Sequence, residues 1–170
     1  MPPTVFQTHD HAACITGALH AAQRICEDGG VRLTPVRRRV LELLLCDHKA
    51  MGAYEILARL RDEGLGSQPP AVYRALDFLG RHGLVHKVEK INAFVACIRP
   101  GVRHAPAFLI CRGCDAVSEE VAARGAGAPL SPAAAASGFE VETLVVEAIG
   151  LCPACRMPDS DGVPAGQADT

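Results

Sequence analysis

Two short cysteine pairs, Cys111-Arg112-Gly113-Cys114 and Cys152-Pro153-Ala154-Cys155, constrain this chain more than any other feature. A C-x2-C turn brings two thiolates onto one ion, and two such turns supply the four soft ligands of a closed tetrahedral zinc site. Residues 115–151 lie between the pairs, more than a compact zinc ribbon uses and enough for a helix and a long strand. Zinc on Cys111, Cys114, Cys152 and Cys155 would tie the end of a domain to its central strands. With no open position it would be structural. Redox dithiols are the competing reading, but a chain of 170 residues builds a core without disulfides, and a reducing cytosol favours ligation.

A catalytic zinc needs further signatures. Zinc deaminases join H-x-E to P-C-x-x-C, yet no histidine here has glutamate two positions on, and Leu151 precedes Cys152. H-E-x-x-H is missing too, and no nucleophile–base pair stands out. The chain reads as a non-enzyme.

Ahead of the cysteine pairs the apolar period is helical. Ile15, Leu19, Ala22 and Cys26 share one face of a helix that starts near Asp10 and closes at Gly29-Gly30. Thr34 as cap and Pro35 at the first helical position open a second, with Val36, Val40, Leu43 and Leu44 inward and Arg37, Arg38 and Arg39 mostly outward. A third carries Ile56, Leu57 and Leu60 and stops at Gly64. The fourth runs from Pro69-Pro70 to about His82, with Gly83 as left-handed terminator. It turns Val72, Leu76 and Leu79 inward and Tyr73, Arg74, Asp77 and Arg81 outward. Residues 84–89 and 93–98 then read as a hairpin, which completes the order of a winged helix-turn-helix with an extra leading helix. In that module the last helix reads DNA. Arg74 suits guanine and Tyr73 a thymine methyl or a sugar, the bland alternative being a solvent face.

Beyond a linker over 99–105, residues 106–110 and 116–118 read as strands joined by the CRGC turn. Ser131-Pro132 caps a short helix closed by Gly138. Residues 139–149 read as a long strand that begins by alternating Phe139, Glu140, Val141 and Glu142. The expected organisation is a winged-helix domain over 1–98 (1–9 flexible), a hinge over 99–105, a zinc domain over 106–156 and a disordered tail over 157–170. A small basic excess falls in the first part and an acidic one in the rest, so the first half is the one suited to phosphate. No apolar run reaches membrane-span length and no basic segment precedes an apolar one at the start. The expectation is a soluble, cytoplasmic chain with no membrane partner.

The stretches VRLTPVRRRVLELL, PPAVYRALDFLGRHGLVHKVE, FLICRGCDAVSEE and VVEAIGLCPAC resemble the ferric-uptake-regulator superfamily, and within it the zinc-uptake branch. The resemblance covers roughly residues 10–156. It implies an α+β fold: an N-terminal winged helix-turn-helix domain, a hinge, and a C-terminal α/β dimerisation domain with a structural zinc. It also implies a homodimeric, zinc-responsive repressor of zinc-uptake genes, with one or two dimers on double-stranded operator DNA. A second, regulatory zinc, making two per subunit, would take His86 at the start of the wing, Cys97 at its end, His104 past the hinge and Glu119 after the CRGC turn. Glu120 falls on the opposite strand face. Two imidazoles, a thiolate and a carboxylate form a coherent mixed site. Tyr73 and Arg74 would read bases, Arg32 the minor groove or backbone, and Arg37 and Arg38 phosphates.

Two departures stand out. Ala71 replaces the usual threonine of the reader helix. Arg103-His104-Ala105-Pro106 replaces the histidine-rich run of iron and peroxide sensors, which points to zinc rather than iron. The alternatives are a superfamily regulator of nickel, manganese or iron, and a zinc-stabilised interaction module without DNA binding. Cys14, Cys26 and Cys46 read as core-packing thiols, and His20 and His82 as surface residues.

Overall fold

The computed structural model describes residues 11–46, 49–65, 68–102, 104–122, 130–142 and 144–156. The expectations for the flexible start and the tail lie outside these residues.

Four helices lead the chain: α1 (His11–Asp28), α2 (Pro35–Cys46), α3 (Ala53–Asp62) and α4 (Pro69–Arg81). Pro35 supplies the first residue of α2, and Thr34 Oγ1 accepts the Arg37 N–H at a long 3.5 Å. α2 packs against α1, α3 and α4. Because neighbours cover it on several sides, it buries Leu41 and Leu45 as well as Val40, Leu43 and Leu44. Proline starts α4, and Gly83 ends it at φ +65°, where the Leu84 N–H turns back to the Leu79 carbonyl at 2.9 Å. That reversal aims the next residues straight into the hairpin.

Cys26 is fully buried in α1, as its place on the apolar stripe predicts. Cys14 and Cys46 are exposed, which corrects the core-packing expectation for both. Cys14 lies beside the stripe that Ile15 and Leu19 already occupy, and Cys46 is the last residue of α2.

The hairpin β1 (Val85–Val88) and β2 (Ala93–Ala96) is antiparallel, with Asn92 at φ 48° in its turn. Met51 extends it by exchanging both backbone hydrogen bonds with Phe94 at 2.9 Å. Two cores share this hairpin. Leu84 and Val85 belong to the helical core, while Val88 and Val95 pack with Phe108, Ile110 and Val117 of the second half. The wing is therefore sandwiched within the chain.

The second half contains β3 (Pro106–Cys111), β4 (Val117–Val121), α5 (Ser131–Ser137) and β5 (Val146–Gly150), in the sheet order β4-β3-β5. β3 pairs antiparallel with β4 and parallel with β5, Cys111 facing Gly150. Three expectations are corrected. β4 runs to Val121, three residues past residue 118. The strand expected over 139–149 forms only from Val146, because residues 139–142, despite their alternation, are exposed and have no ladder partner among the described residues. Leu130, not Ser131, is the N-cap of α5, with no side-chain cap bond. No helix among the described residues is long and apolar enough to cross a membrane.

Candidate functional site

The parallel β3–β5 register sets the CRGC turn against the CPAC turn, and the Arg112 N–H to Gly150 carbonyl bond (2.9 Å) carries the ladder into it. The ligand atoms of Cys111, Cys114, Cys152 and Cys155 all lie within 4.8 Å of one another. Cys114 Sγ and Cys152 Sγ are 3.7 Å apart, against an edge of about 3.8 Å for a tetrahedron with zinc–sulfur bonds near 2.3 Å. The backbone N–H of Cys152 (3.3 Å), then that of Gly113 (3.4 Å), donates to Cys111 Sγ and brings its thiol down to about 6. Cys155 moves the other way, to about 12, because the sulfurs of Cys114 and Cys152 hold its proton. The thiol of Cys111 is eased toward the thiolate while those of Cys114 and Cys155 are held back, and four converging sulfurs are the donor set of a zinc site. Gly113 is required here: a β-carbon on it would come 3.0 Å from Cys155 Cβ and 3.1 Å from Cys155 Sγ.

The second cluster draws its members from both sides of the linker. His86 comes from β1, Cys97 follows β2, His104 precedes β3, and Glu119 projects from β4. Their ligand atoms also lie within 4.8 Å of one another. Glu119 is buried, with Oε2 accepting the Ile98 N–H at 2.9 Å. Its Oε1 is thereby aimed at His104 Nε2 (2.7 Å) and His86 Nε2 (3.2 Å). Glu120 turns away and accepts the Ser118 hydroxyl.

The Val102 carbonyl, 2.7 Å from His104 Nδ1, takes the proton on that nitrogen. In neutral His104, Nε2 would then present a lone pair to a carboxylate. Such an arrangement needs a positive species between them. Burial disfavours a charged His104, but the Val102 carbonyl and Glu119 outweigh it and raise its pKa. Burial likewise works to raise Glu119, yet His86, His104 and the Ile98 N–H together lower it. Cys97, 3.8 Å from His104 Nε2, is pushed up to about 12 by burial. His86 Nε2 is buried and, although 3.2 Å from Glu119 Oε1, has no aligned hydrogen bond. An orphaned imidazole nitrogen, a preset tautomer and two potential anions are what a divalent cation would satisfy. The donor set fits zinc.

On α4, Tyr73 and Arg74 are exposed, as is Arg32 before α2. Arg37 is half-buried: its guanidinium lies 3.5 Å from the Phe78 ring centroid, and Nη1 donates to the Arg32 carbonyl at 2.6 Å. Arg38 pairs with Glu42 at 2.9 Å. Tyr54, which the sequence pattern does not single out, is 73% exposed and lines a groove with Tyr73, Lys87 and Phe94. A second residue missed is Glu147, whose partners are backbone groups 57 and 58 positions away. Side-chain patterning carries no signal for such a contact.

The profile of the Ferric uptake regulator family matches residues 28–148. The zinc uptake regulation protein of Escherichia coli (strain K12) is 44% identical over 138 residues, covering 81% of this chain and 80% of that protein. A solved zinc uptake regulator complexed with zinc and DNA is similar at a TM-score of 0.75 and 43% identity, over 83% of this chain and 94% of its own. The structure of holo XcZur is similar at 0.72 and 41%, over 82% and 96%.

Proposed function

The chain belongs to the ferric uptake regulator family, and on that footing we propose that it is a zinc-responsive, dimeric transcriptional repressor of zinc-uptake genes. It is a regulator and not an enzyme. One zinc per subunit would sit on Cys111, Cys114, Cys152 and Cys155 and hold the second domain together. A second would sit on His86, Cys97, His104 and Glu119 and act as the sensor. When bound, that ion supplies the positive charge which the two histidines, the thiolate and the carboxylate converge to balance.

The observation that carries this reading is the origin of the second cluster: residues 1–98 contribute two ligands, the hinge over 99–105 a third, and the domain over 106–156 the fourth. Filling it would select one angle between the domains. Moving a mostly open population to a mostly closed one takes roughly 5 kcal/mol of differential affinity, within reach of a four-ligand site. The closed dimer would place two α4 helices at half-site spacing, with Tyr73 and Arg74 on base edges and Arg32, Arg37 and Arg38 on the backbone. The outer edge of β5, which pairs with no strand among the described residues, and the exposed Phe139, Val141 and Ile149 support a second copy as partner. Two dimers on one operator and a cytoplasmic setting complete the proposal.

Native mass spectrometry before and after EDTA, followed by operator binding at buffered zinc and rising salt, tests it. Two zincs per subunit, one removable, with DNA binding that needs the removable ion and weakens steeply with salt, are expected. A single retained zinc that added metal does not supplement would remove the sensing role. Response to nickel, manganese or iron instead of zinc would change the metal. Absence of salt-sensitive DNA binding would leave only an interaction module.

A further inference from the structure

The wing hairpin is held to the second half at three places: the mixed cluster, the packing of Val88 and Val95 on Phe108, Ile110 and Val117, and a contact at its tip. At its base, His86 and Cys97 meet Glu119 and His104. At its tip, two consecutive backbone N–H groups converge on one carboxylate: Glu89 donates to Glu147 Oε1 at 2.7 Å and Lys90 to Oε2 at 2.9 Å. Successive N–H groups in a turn form a small anion-binding concavity, and a carboxylate with one oxygen per donor fills it. The wing's own acid does not compete, because Glu89 is paired with Lys87 at 2.6 Å. Glu147 stands opposite Phe108 in the β3–β5 register. Phe108 is buried, and its ring centroid lies 6.0 Å from that of His86. The grip on the wing tip is thus one strand away from the side chain that packs a ligand histidine.

We propose that Glu147 is a positioning residue for metal-gated DNA binding, latching the wing tip to β5 so that the filled cluster fixes an angle and not only a distance. The proposal rests on the sensing reading above. An ion at the base of the hairpin and the Val88 and Val95 packing hold the wing near its stem. A hold at the tip, three residues along the strand from His86 and about 10 Å away at strand rise, adds the longer lever that resists rotation of the reader domain. Because coupling is reciprocal, a latch that favours the closed form also lowers the zinc concentration needed to reach it.

Glu147→Ala and Glu147→Gln in the full chain, with the four-cysteine zinc retained, test this by two readouts. The first is amide hydrogen exchange in the metal-loaded protein. Glu147→Ala should speed exchange at Glu89 and Lys90 about tenfold or more, while α2 and α4 keep their protection. The second is zinc-dependent operator binding, whose half-point should move to zinc concentrations roughly five- to thirtyfold higher, the ordinary range of coupling between sites. Glu147→Gln keeps one acceptor and should fall between; it carries the test if the alanine variant fails to fold. Wild-type exchange at the wing tip together with an unchanged zinc half-point would overturn the latch. If the wild-type protein shows no zinc-dependent DNA binding, the sensing reading falls, and with it the latch's role in DNA binding.

Discussion

Zinc binding at the mixed cluster should be strongly and predictably dependent on pH. The ion requires Cys97 as a thiolate, and burial pushes that thiol up to about 12. At pH 7 the gap of five units corresponds to about 7 kcal/mol that metal coordination must offset, at about 1.4 kcal/mol per unit. Across the accessible range the thiol stays protonated, so affinity should rise tenfold for each unit of pH. Glu119 adds nothing to the slope, because its lowered pKa leaves it already ionised. His104, whose pKa is raised, adds a second proton below its own transition, where the slope should steepen to at least about a hundredfold per unit. Competition with a chelator of known affinity at each pH, on protein whose four-cysteine site is filled, measures the slope. Proton release in weakly buffered solution counts the protons independently. Cys97→Ser should bind zinc more weakly and lose the upper slope, since a serine hydroxyl does not ionise in this range. A flat affinity between pH 7 and 9 in the wild-type protein would refute the reasoning, because it would mean that Cys97 is either already ionised or not a ligand.

Other perturbations isolate other parts. Arg74→Ala should lose roughly 1–3 kcal/mol of preference for operator over scrambled DNA while zinc content and dimerisation stay unchanged, read by parallel binding titrations. Gly113→Ala forces a methyl against Cys155 and should cost about 1–3 kcal/mol, visible as faster zinc release to a chelator from the four-cysteine site. Arg39 binds both Glu63 oxygens at 2.6 Å and Glu42 at 3.0 Å, so Arg39→Ala should lower the melting temperature by a few degrees with zinc stoichiometry intact. Its effect should fade in acid, because the Glu63 carboxyl, held low by Arg39, contributes above its ordinary range and loses that contribution as it protonates.

The features legible in the sequence were those fixed locally. Thr34-Pro35, Gly83 and the two C-x2-C turns dictate backbone shape within a few residues, and the chain follows them. Burial was harder to read. Ser118 and Glu119 are adjacent and both buried in β4, which breaks the alternation of a half-buried strand, because Glu119 serves the cluster and not a solvent face. The alternation at 139–142 promised a strand that finds no ladder partner among the described residues. The gathering of His86, Cys97, His104 and Glu119 was reached through resemblance, since four residues of three types spread over 34 positions have no spacing rule. Glu147 gave no signal at all.

The parallel pairing of β3 with β5 also has a bearing on time. β4 can fold back onto β3 as soon as a short turn is made, whereas β5 must return from beyond α5, so its pairing waits on a long loop closure. Until Val146–Gly150 arrive, the β3 edge formed by Phe108, Leu109 and Ile110 is bare on that side. A chain cut short before Val146 would therefore be no smaller working unit. It would be an open sheet edge inviting other strands, so that the last strand to be synthesised is what keeps the nascent protein from aggregating.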